Sequence, residues 1–324
     1  MDNLELTLLS DGQIWGNSSE PQLEVIKKYG TQAAITDLCI LTGCYLGKHP
    51  LNIAEDDSLT GRTSYFWTRS SSNGDYDDVV TVDLNGNRCN FDSSERNFAV
   101  RPVLYSPEIF SQISSKRVKG YNGTEEVEYG EYPQNAADSR MQNILELEYN
   151  RGMNKTGRGY TFCFSRYDYR DTKSKFAIYK EYEHQGKKYI RITARASLCF
   201  NSNKLKLSNG VEYRNGDYVC VWVEVSPVKW LIDDETETLI SKYGLVSGIE
   251  FLDKRTNYKG DFDRTKMKIY LDKHMIHDLF QNIALIQTQT AINFEDKEQL
   301  DKLFLYETES NTKGKIKQLR FRAK

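Results

Sequence analysis

The strongest constraint on the fold is a contrast inside one segment, YFWTRSSSNGDYDDVVTVDLNGNRCNFDSSERNFAVRPVL, from Tyr65 to Leu104. Its two ends, Tyr65-Phe66-Trp67 and Val100-Arg101-Pro102-Val103-Leu104, are short, apolar and rich in aromatic or β-branched residues, the composition of buried strands. Between them the chain is dominated by Asn, Ser, Asp, Arg and Gly. Asn73-Gly74 and Asn85-Gly86 supply the positive-φ residues that tight turns require, and DVVTVDLNGNRCNF reads as a hairpin about the second pair. The chain is therefore expected to fix two strands in a core and to carry a polar surface between them. An arginine in an apolar strand must be paired or satisfy carbonyls, so Arg101 is expected to anchor a loop internally, with Trp67, Pro102 and Trp230 as further anchors.

The 324 residues leave room for one large domain or two ordinary ones. Twenty-one Tyr, 14 Phe and 4 Trp against only 6 Pro argue against disorder, because that aromatic surface has to be buried or used for binding. The net charge of −2, with both signs interspersed, selects neither nucleic acid nor an anionic membrane as partner. Only the tail from Lys313 to Lys324 is locally basic. The first residues carry no basic run followed by an apolar one, and no window approaches the roughly 18 apolar residues of a membrane span. The expected location is the cytoplasm, or outside it by a route without a Sec signal. Cys39, Cys44, Cys89, Cys163, Cys199 and Cys220 form no CxxC pair and read as buried or incidental thiols.

Along the chain, EPQLEVIKKYG predicts a short amphipathic helix stopping at Gly30, and AAITDLCILTGCYLG is either a helix capped by Thr36 or Asp37 or a buried strand. HPLNIAEDDSLTGRTS reads as a loop. Residues 111–126 read as a connecting segment between an N-terminal part, 1–110, and a β-rich core with helices, 127–307, followed by a basic mobile tail, 308–324. A helix is expected over about 137–151, strands over 160–232 with turns at Gln185-Gly186 and Ser208-Asn209-Gly210, a helix over DRTKMKIYLDKHMIHDLF, and another near 295–306. The alternating Tyr of the Gln185-Gly186 hairpin puts Tyr182 on one face and the charged residues on the other.

Catalytic and metal patterns are sparse. His274 and His277 are one helical turn apart, a spacing that suits a metal, but HMIH lacks the glutamate of HExxH and a third ligand, so both read as solvated helix residues and no metal is expected. No GxSxG, P-loop or GxGxxG sits in its proper local context, and KTGRGY reads as a turn. Acidic pairs such as Asp56-Asp57, Asp77-Asp78 and Asp233-Asp234 read as solvated loop charges.

The pairing of YFWTRSS with NFAVRPVL resembles the W-x-R-S and V-R-P-[AV]-L ends of a domain family of unknown function from gut Firmicutes and their prophages. That family is similar to the formylglycine-generating-enzyme type of C-type lectin fold, which variable proteins of diversity-generating retroelements also use. VEYGEYPQ resembles its opening strand, HQGKKYIRI its middle hairpin, VSPVKWLID its central strand, and KMKIYLDKHMIHDLF and DKLFLYE its later helix and strand. The resemblance implies an α+β, C-type-lectin-like mixed fold of short twisted antiparallel sheets with a few flanking helices. It implies display of a changeable ligand-binding surface just before the closing strand. Here the WxRS to VRPVL segment comes first and not last, so the fold is either circularly permuted or has its N-terminal third as a separate lobe. The family's paired catalytic cysteines have no match, and neither does a calcium-type sugar-binding set.

The leading functional expectation is a non-enzymatic binding protein whose face between Thr68 and Asn97 contacts a ligand through Arg69, Asn73, Asp75, Tyr76, Asp77, Asn85, Asn87, Arg88, Asn90, Phe91, Asp92, Arg96 and Asn97. Short polar side chains give adaptable hydrogen bonds, and Tyr and Arg give contact area at low entropic cost. A flat polar surface suits a protein better than a small molecule or glycan, and no cofactor is implied. The plain alternative is a set of solvated hairpin loops. Two other classes compete: an enzyme with a cleft site using His184 or Cys89, and a structural component of a phage or mobile element.

Overall fold

The computed structural model describes residues 4–46, 62–72, 78–163, 176–195, 204–214, 218–252, 258, 260–280, 305–307 and 320–322. It is a mixed α+β fold of antiparallel sheets. The first strand, β1 (Glu5–Thr7), leads into α1 (Asp11–Trp15), whose Ser10 and Gln13 form a reciprocal capping box. Then come α2 (Glu24–Tyr29), ended by Gly30, and α3 (Asp37–Leu41), capped by the Thr36 hydroxyl, so the helical alternative holds for this segment. The Tyr65–Leu104 stretch supplies β2 (Phe66–Ser71), β3 (Asp78–Val82) and β4 (Arg88–Asp92), followed by β5 (Val103–Tyr105).

Residues 111–126 are more structured than a bare connection. They hold the end of α4 (Pro107–Ile113), β6 (Val118–Lys119) and the start of β7 (Glu125–Ala136). After α5 (Ser139–Asn150), capped by Asp138, come β8 (Lys155–Cys163), β9 (Phe176–His184), β10 (Lys187–Arg195), β11 (Lys204–Lys206), β12 (Glu212–Arg214), β13 (Tyr218–Asp233) and β14 (Thr238–Ser241). A continuous helical stretch follows from Lys266 to Phe280, with α6 (Lys266–Tyr270) and α7 (Ile276–Phe280) joined by a π turn. Leu305–Glu307 (β15) pairs with Arg320–Arg322 (β16). The end of the helix expected near 295–306 is therefore strand, as is part of the tail expected to be mobile; residues 295–304 lie outside the described residues.

One nine-stranded sheet runs in the order β1-β5-β14-β13-β10-β9-β8, with β7 and β6 joined at β13. The 16-residue β13 is its spine. Val223 and Val225 pair with both β10 and β7, and Trp230 and Leu231 pair with both β7 and β14. A strand has two edges, so β10 and β14 must share one edge of β13 end to end while β7 runs along the other. The N-terminal part is built into this sheet: Val103 pairs with Ile240 and Leu6 with Leu104. One hydrophobic cluster includes Leu6, Ile35, Trp67, Val103, Val221, Trp230, Leu245 and Tyr270, so residues on both sides of 111–126 share a core. A smaller cluster of Ala137, Leu145, Tyr182, Tyr189 and Trp222 lies under α5.

The Gln185-Gly186 turn is a two-residue hairpin with positive φ at both positions, and Tyr182 faces Tyr189 across it. Alternation fails on its other face, because Glu181 is also buried. It accepts hydrogen bonds from Tyr160 Oη at 2.8 Å and Thr156 Oγ1 at 2.8 Å, and it lies 3.8 Å from Arg158. Paired in this way, a carboxylate can occupy an inward position that composition reserves for apolar groups. Asp37 plays a similar part at the start of α3: fully buried, it accepts from the Ala136 and Ser208 backbone N–H groups and pairs with Arg62, clasping the N-terminal helix to β7 and the β11–β12 turn.

The helical stretch 266–280 covers the outer edge of β8. Asp278 Oδ2 accepts from Thr161 N at 2.8 Å, and Tyr270 Oη donates to Thr161 O at 3.3 Å. Close packing here also needs Gly130, whose φ is 68° and where a Cβ would stand 2.8 Å from the Phe280 ring. The expectation of solvated histidines changes on this helix. His274 is half-buried, stacked on Phe176 at 5.3 Å, and burial, with His277 and Lys273 adding to it, lowers its pKa to about 4. His277 is lowered as well, by burial.

Candidate functional site

The three-stranded sheet β2-β3-β4 is fastened to the core from its inner side. Trp67 is fully buried against Phe98 at 4.8 Å and Phe251 at 5.4 Å. Arg101 is also buried. Its Nε donates to Ser241 O at 2.9 Å, its guanidinium lies 5.4 Å from the Phe66 ring centre, and burial lowers its pKa to about 10. Among the described residues only one of its nitrogens finds a carbonyl, and Nη1 and Nη2 have no hydrogen-bond partner. Pro102 O accepts from Ser241 N at 2.9 Å, and Trp230 Nε1 donates to Tyr129 O at 2.8 Å, so all four anchor residues sit in or on the core.

The hairpin turn is held as firmly. Asp83 Oδ1 accepts from the backbone N–H of Asn85 and of Asn87, both at 2.8 Å. Gly86 O accepts from Thr31 Oγ1 at 2.8 Å and Trp15 Nε1 at 3.3 Å, and Gln32 Nε2 donates to Leu84 O at 2.9 Å. Gly86 has a φ of 86°, and a Cβ there would lie 2.1 Å from Thr31 Oγ1, so both the turn and the close approach require glycine. Asn85, Asn87, Arg88 and Asn90 are exposed on this fixed frame.

The remaining expected contact residues divide differently. Phe91 packs on Tyr65 and Phe98, at 5.1 and 4.8 Å between ring centres. Asp92 accepts from Ser94 N and Oγ, Arg96 pairs with the buried Glu250, and Asn97 is itself buried with its carbonyl on Tyr45 N. Phe91, Asp92 and Arg96 are half-buried and, with the buried Asn97, also hold the strand ends and the following loop. Short polar residues near turns serve the backbone as readily as a ligand. Asn73, Asp75, Tyr76 and Asp77 lie outside the described residues.

Arg69 lies beside an open groove of about 820 Å³. Strand β1 contributes Glu5 and Thr7, α1 contributes Asp11, β2 contributes Arg69, Ser70 and Ser71, β5 contributes Tyr105, and the segment from Gly260 to Asp263 completes the lining. Arg69 is anchored on Leu8 O at 2.9 Å and Glu20 at 3.4 Å, and Tyr258 Oη donates to its carbonyl. Burial raises the Tyr258 phenol pKa, which keeps it a donor. Ser70 Oγ donates to Asp11 Oδ1 and accepts from Asp11 N, both at 2.9 Å, so this hydroxyl is a link in a polar wall. The groove's chemistry is that of hydrogen bonding and mixed charge, with Glu5, Asp11, Asp261 and Asp263 lining it together with Arg69. Arg88 of the hairpin reaches Asp11 at 3.6 Å, which makes the exposed hairpin face and the groove contiguous.

Sequence reasoning identified Arg69 and the hairpin but not the groove's other walls, because Glu5, Asp11 and Asp261 are loop or edge carboxylates whose convergence depends on distant pairing. The two residues considered for a cleft enzyme lie apart. Cys89 sits on β4 with its sulfur 3.0 Å from Thr81 Oγ1, and burial raises its pKa, the opposite of an activated thiolate. His184 Nδ1 lies 2.7 Å from Glu148 on α5, at the far end of β9. Among the described residues no group of three or more His, Cys, Asp or Glu side chains gathers as a metal site, and no helix is long and apolar enough to cross a membrane. Compared with protein-family models, curated proteins and solved structures, the chain has no match in any of the three.

Proposed function

We propose that the chain is a non-enzymatic binding protein that recognises a protein partner through the groove beside Arg69 and the exposed face of the β3–β4 hairpin. One observation carries the reading: the 3.6 Å approach of Arg88 to Asp11 joins four exposed polar side chains on a rigid turn to a polar groove of about 820 Å³. A surface of this kind offers many hydrogen-bond donors and acceptors already fixed in place, so little ordering entropy is lost when a partner docks. Its width and polarity suit a protein surface better than a small apolar ligand. The finer fold reading belongs to the same proposal: a circularly permuted C-type-lectin-like domain, supported by the N-terminal strands β1 and β5 lying beside β14 in one sheet.

The test compares the full chain with an Asn85→Ala/Asn87→Ala/Asp263→Ala variant on arrays of proteins and glycans. All three side chains are exposed, so the fold should survive the change. The expected result is at least one protein whose binding falls tenfold or more in the variant. Identical profiles for the two chains, or binding confined to glycans, overturn the proposal.

A further inference from the structure

The two outer edges of the three-stranded sheet differ. On β2 the outward backbone groups are used: Trp67 N donates to Ala99 O at 3.2 Å and Arg69 N to Leu9 O at 2.9 Å. On β4 the parity of the ladder follows from the Asp83 N to Asn87 O bond at 2.9 Å, which makes that pair a hydrogen-bonded one. Alternation then turns the N–H and C=O of Cys89 and Phe91 toward β3, and those of Arg88 and Asn90 away from it. Among the described residues the outward groups of Arg88 and Asn90 take no partner. The edge is also fixed in place, because the turn at its start is bonded to Trp15, Thr31 and Gln32.

The order of residues along this edge is Arg88, Cys89, Asn90, Phe91, Asp92. It is antisymmetric in charge about Asn90. We infer that β4 is a self-association edge: a second copy of this chain pairs antiparallel with it about a two-fold axis at Asn90, giving a continuous six-stranded sheet. In that register Arg88 of each copy lies opposite Asp92 of the other, and the two Asn90 residues exchange backbone hydrogen bonds. Sliding the register so that Arg88 meets Arg88, or Asp92 meets Asp92, sets like charges directly opposite, which is unfavourable. Of the registers with the axis at an outward-facing residue, the charge order therefore favours this one, an isologous arrangement like that of most dimers. An unrelated extended segment would have no reason to match this charge order. The 3.6 Å contact of Arg88 with Asp11 is a weak, part-exposed pairing of one guanidinium nitrogen, and the remaining N–H donors of Arg88 are enough to meet a second copy while it persists.

A five-residue edge is smaller than a standard protein interface, so the association is concentration-dependent, on the order of micromolar. Its consequence is bivalence: two hairpin faces side by side. This holds whether or not the partner proposed above exists.

Sedimentation equilibrium of the full chain at rising concentration reads the proposal. The mass should climb from one chain toward two. Asn90→Pro removes an outward N–H from an edge position that tolerates proline and should weaken the dimer at least tenfold without changing circular dichroism. Arg88→Asp should weaken it similarly, and mixing that chain with one carrying Asp92→Arg should restore a mixed dimer, because every opposed pair is then again of opposite sign. Asn90→Cys should form a disulfide-linked dimer on oxidation, since hydrogen-bonded antiparallel pairs stand about 5.5 Å apart at Cα. A monomer at every concentration, or a dimer that neither Asn90→Pro nor Arg88→Asp weakens, overturns the inference. If Asn90→Pro misfolds, the Arg88→Asp result alone decides.

Discussion

The outer edges of β8 and β4 are finished in opposite ways. On β8 the helical stretch 266–280 lies over the strand, and Asp278 and Tyr270 take up the N–H and C=O of Thr161. On β4 charged and amide side chains stand at an edge whose Arg88 and Asn90 backbone groups remain outward. An edge can be hidden or merely guarded. Hiding it demands polar groups inside the protein, and Asp278 is buried with its pKa well above the ordinary carboxylate range, chiefly through burial, although Thr161 N–H and Arg158 oppose that. Guarding it costs no buried charge and leaves a surface on which association can be built. The contrast places a buried, hydrogen-bonded cover at one edge and, among the described residues, open backbone groups at the other.

The harshest test of that division is Trp67→Ala. If the small sheet is a guarded edge on a shared core, removing its buried indole should cost about 3–5 kcal/mol and unfold the whole chain in a single urea transition. A separate early transition would mean that the small sheet is energetically independent. Acid should act on the hidden edge next. With its folded pKa lowered to about 4, His274 adds stability above its ordinary value near 6.5, and that contribution is lost as pH falls toward 4, roughly 2–3 kcal/mol. Urea unfolding at pH 7 and pH 4.5 measures the loss, and His274→Gln should lessen it.

Asp278 carries the opposite sign. A carboxyl whose folded pKa is raised favours folding in its protonated form, so its contribution is complete below the ordinary value of 3.8 and is lost as pH rises through the folded one. Asp278→Ala should cost about 1–3 kcal/mol by leaving the Thr161 N–H unpaired. Asp278→Asn should keep the acceptor and gain on the wild type as pH rises from 4 to 8. Arg101→Met is a smaller and less obvious change. A buried guanidinium with two nitrogens that find no partner among the described residues is costly, so the variant should unfold at an equal or higher urea concentration. At the guarded edge Asn85→Ala should move stability by no more than about 0.5 kcal/mol. A larger loss there would show that the hairpin face is structural.

Local chemistry made much of this fold legible. Gln185-Gly186, Asn85-Gly86 and Gly30 each mark an element by what they do to one turn of backbone, and each element is found there. Period-two patterning failed at Glu181, because a carboxylate that meets Tyr160, Thr156 and Arg158 can sit inward. Helical spacing misled at His274, because a half-buried ring on Phe176 gives the same spacing as a solvated one. In the candidate site, exposed Asn85, Asn87, Arg88 and Asn90 were readable from their turn. Arg96 and Asn97 were not, since the partners that occupy them, Glu250 and Tyr45, come from other parts of the chain. The groove was illegible for the same reason, with walls from residues 5 and 263.

The pairing of β5 with β14 also sets a clock on biosynthesis. Val103 leaves the ribosome long before Ile240, its partner in the sheet. At typical synthesis rates of about 5–20 residues per second, the interval is on the order of ten seconds. During it, β5 and the Trp67 face have no β13–β14 platform to close against, and their apolar surfaces are open to other chains and to chaperones. Slowing translation between residues 105 and 238 should therefore lower soluble yield more than slowing it after β14 has emerged.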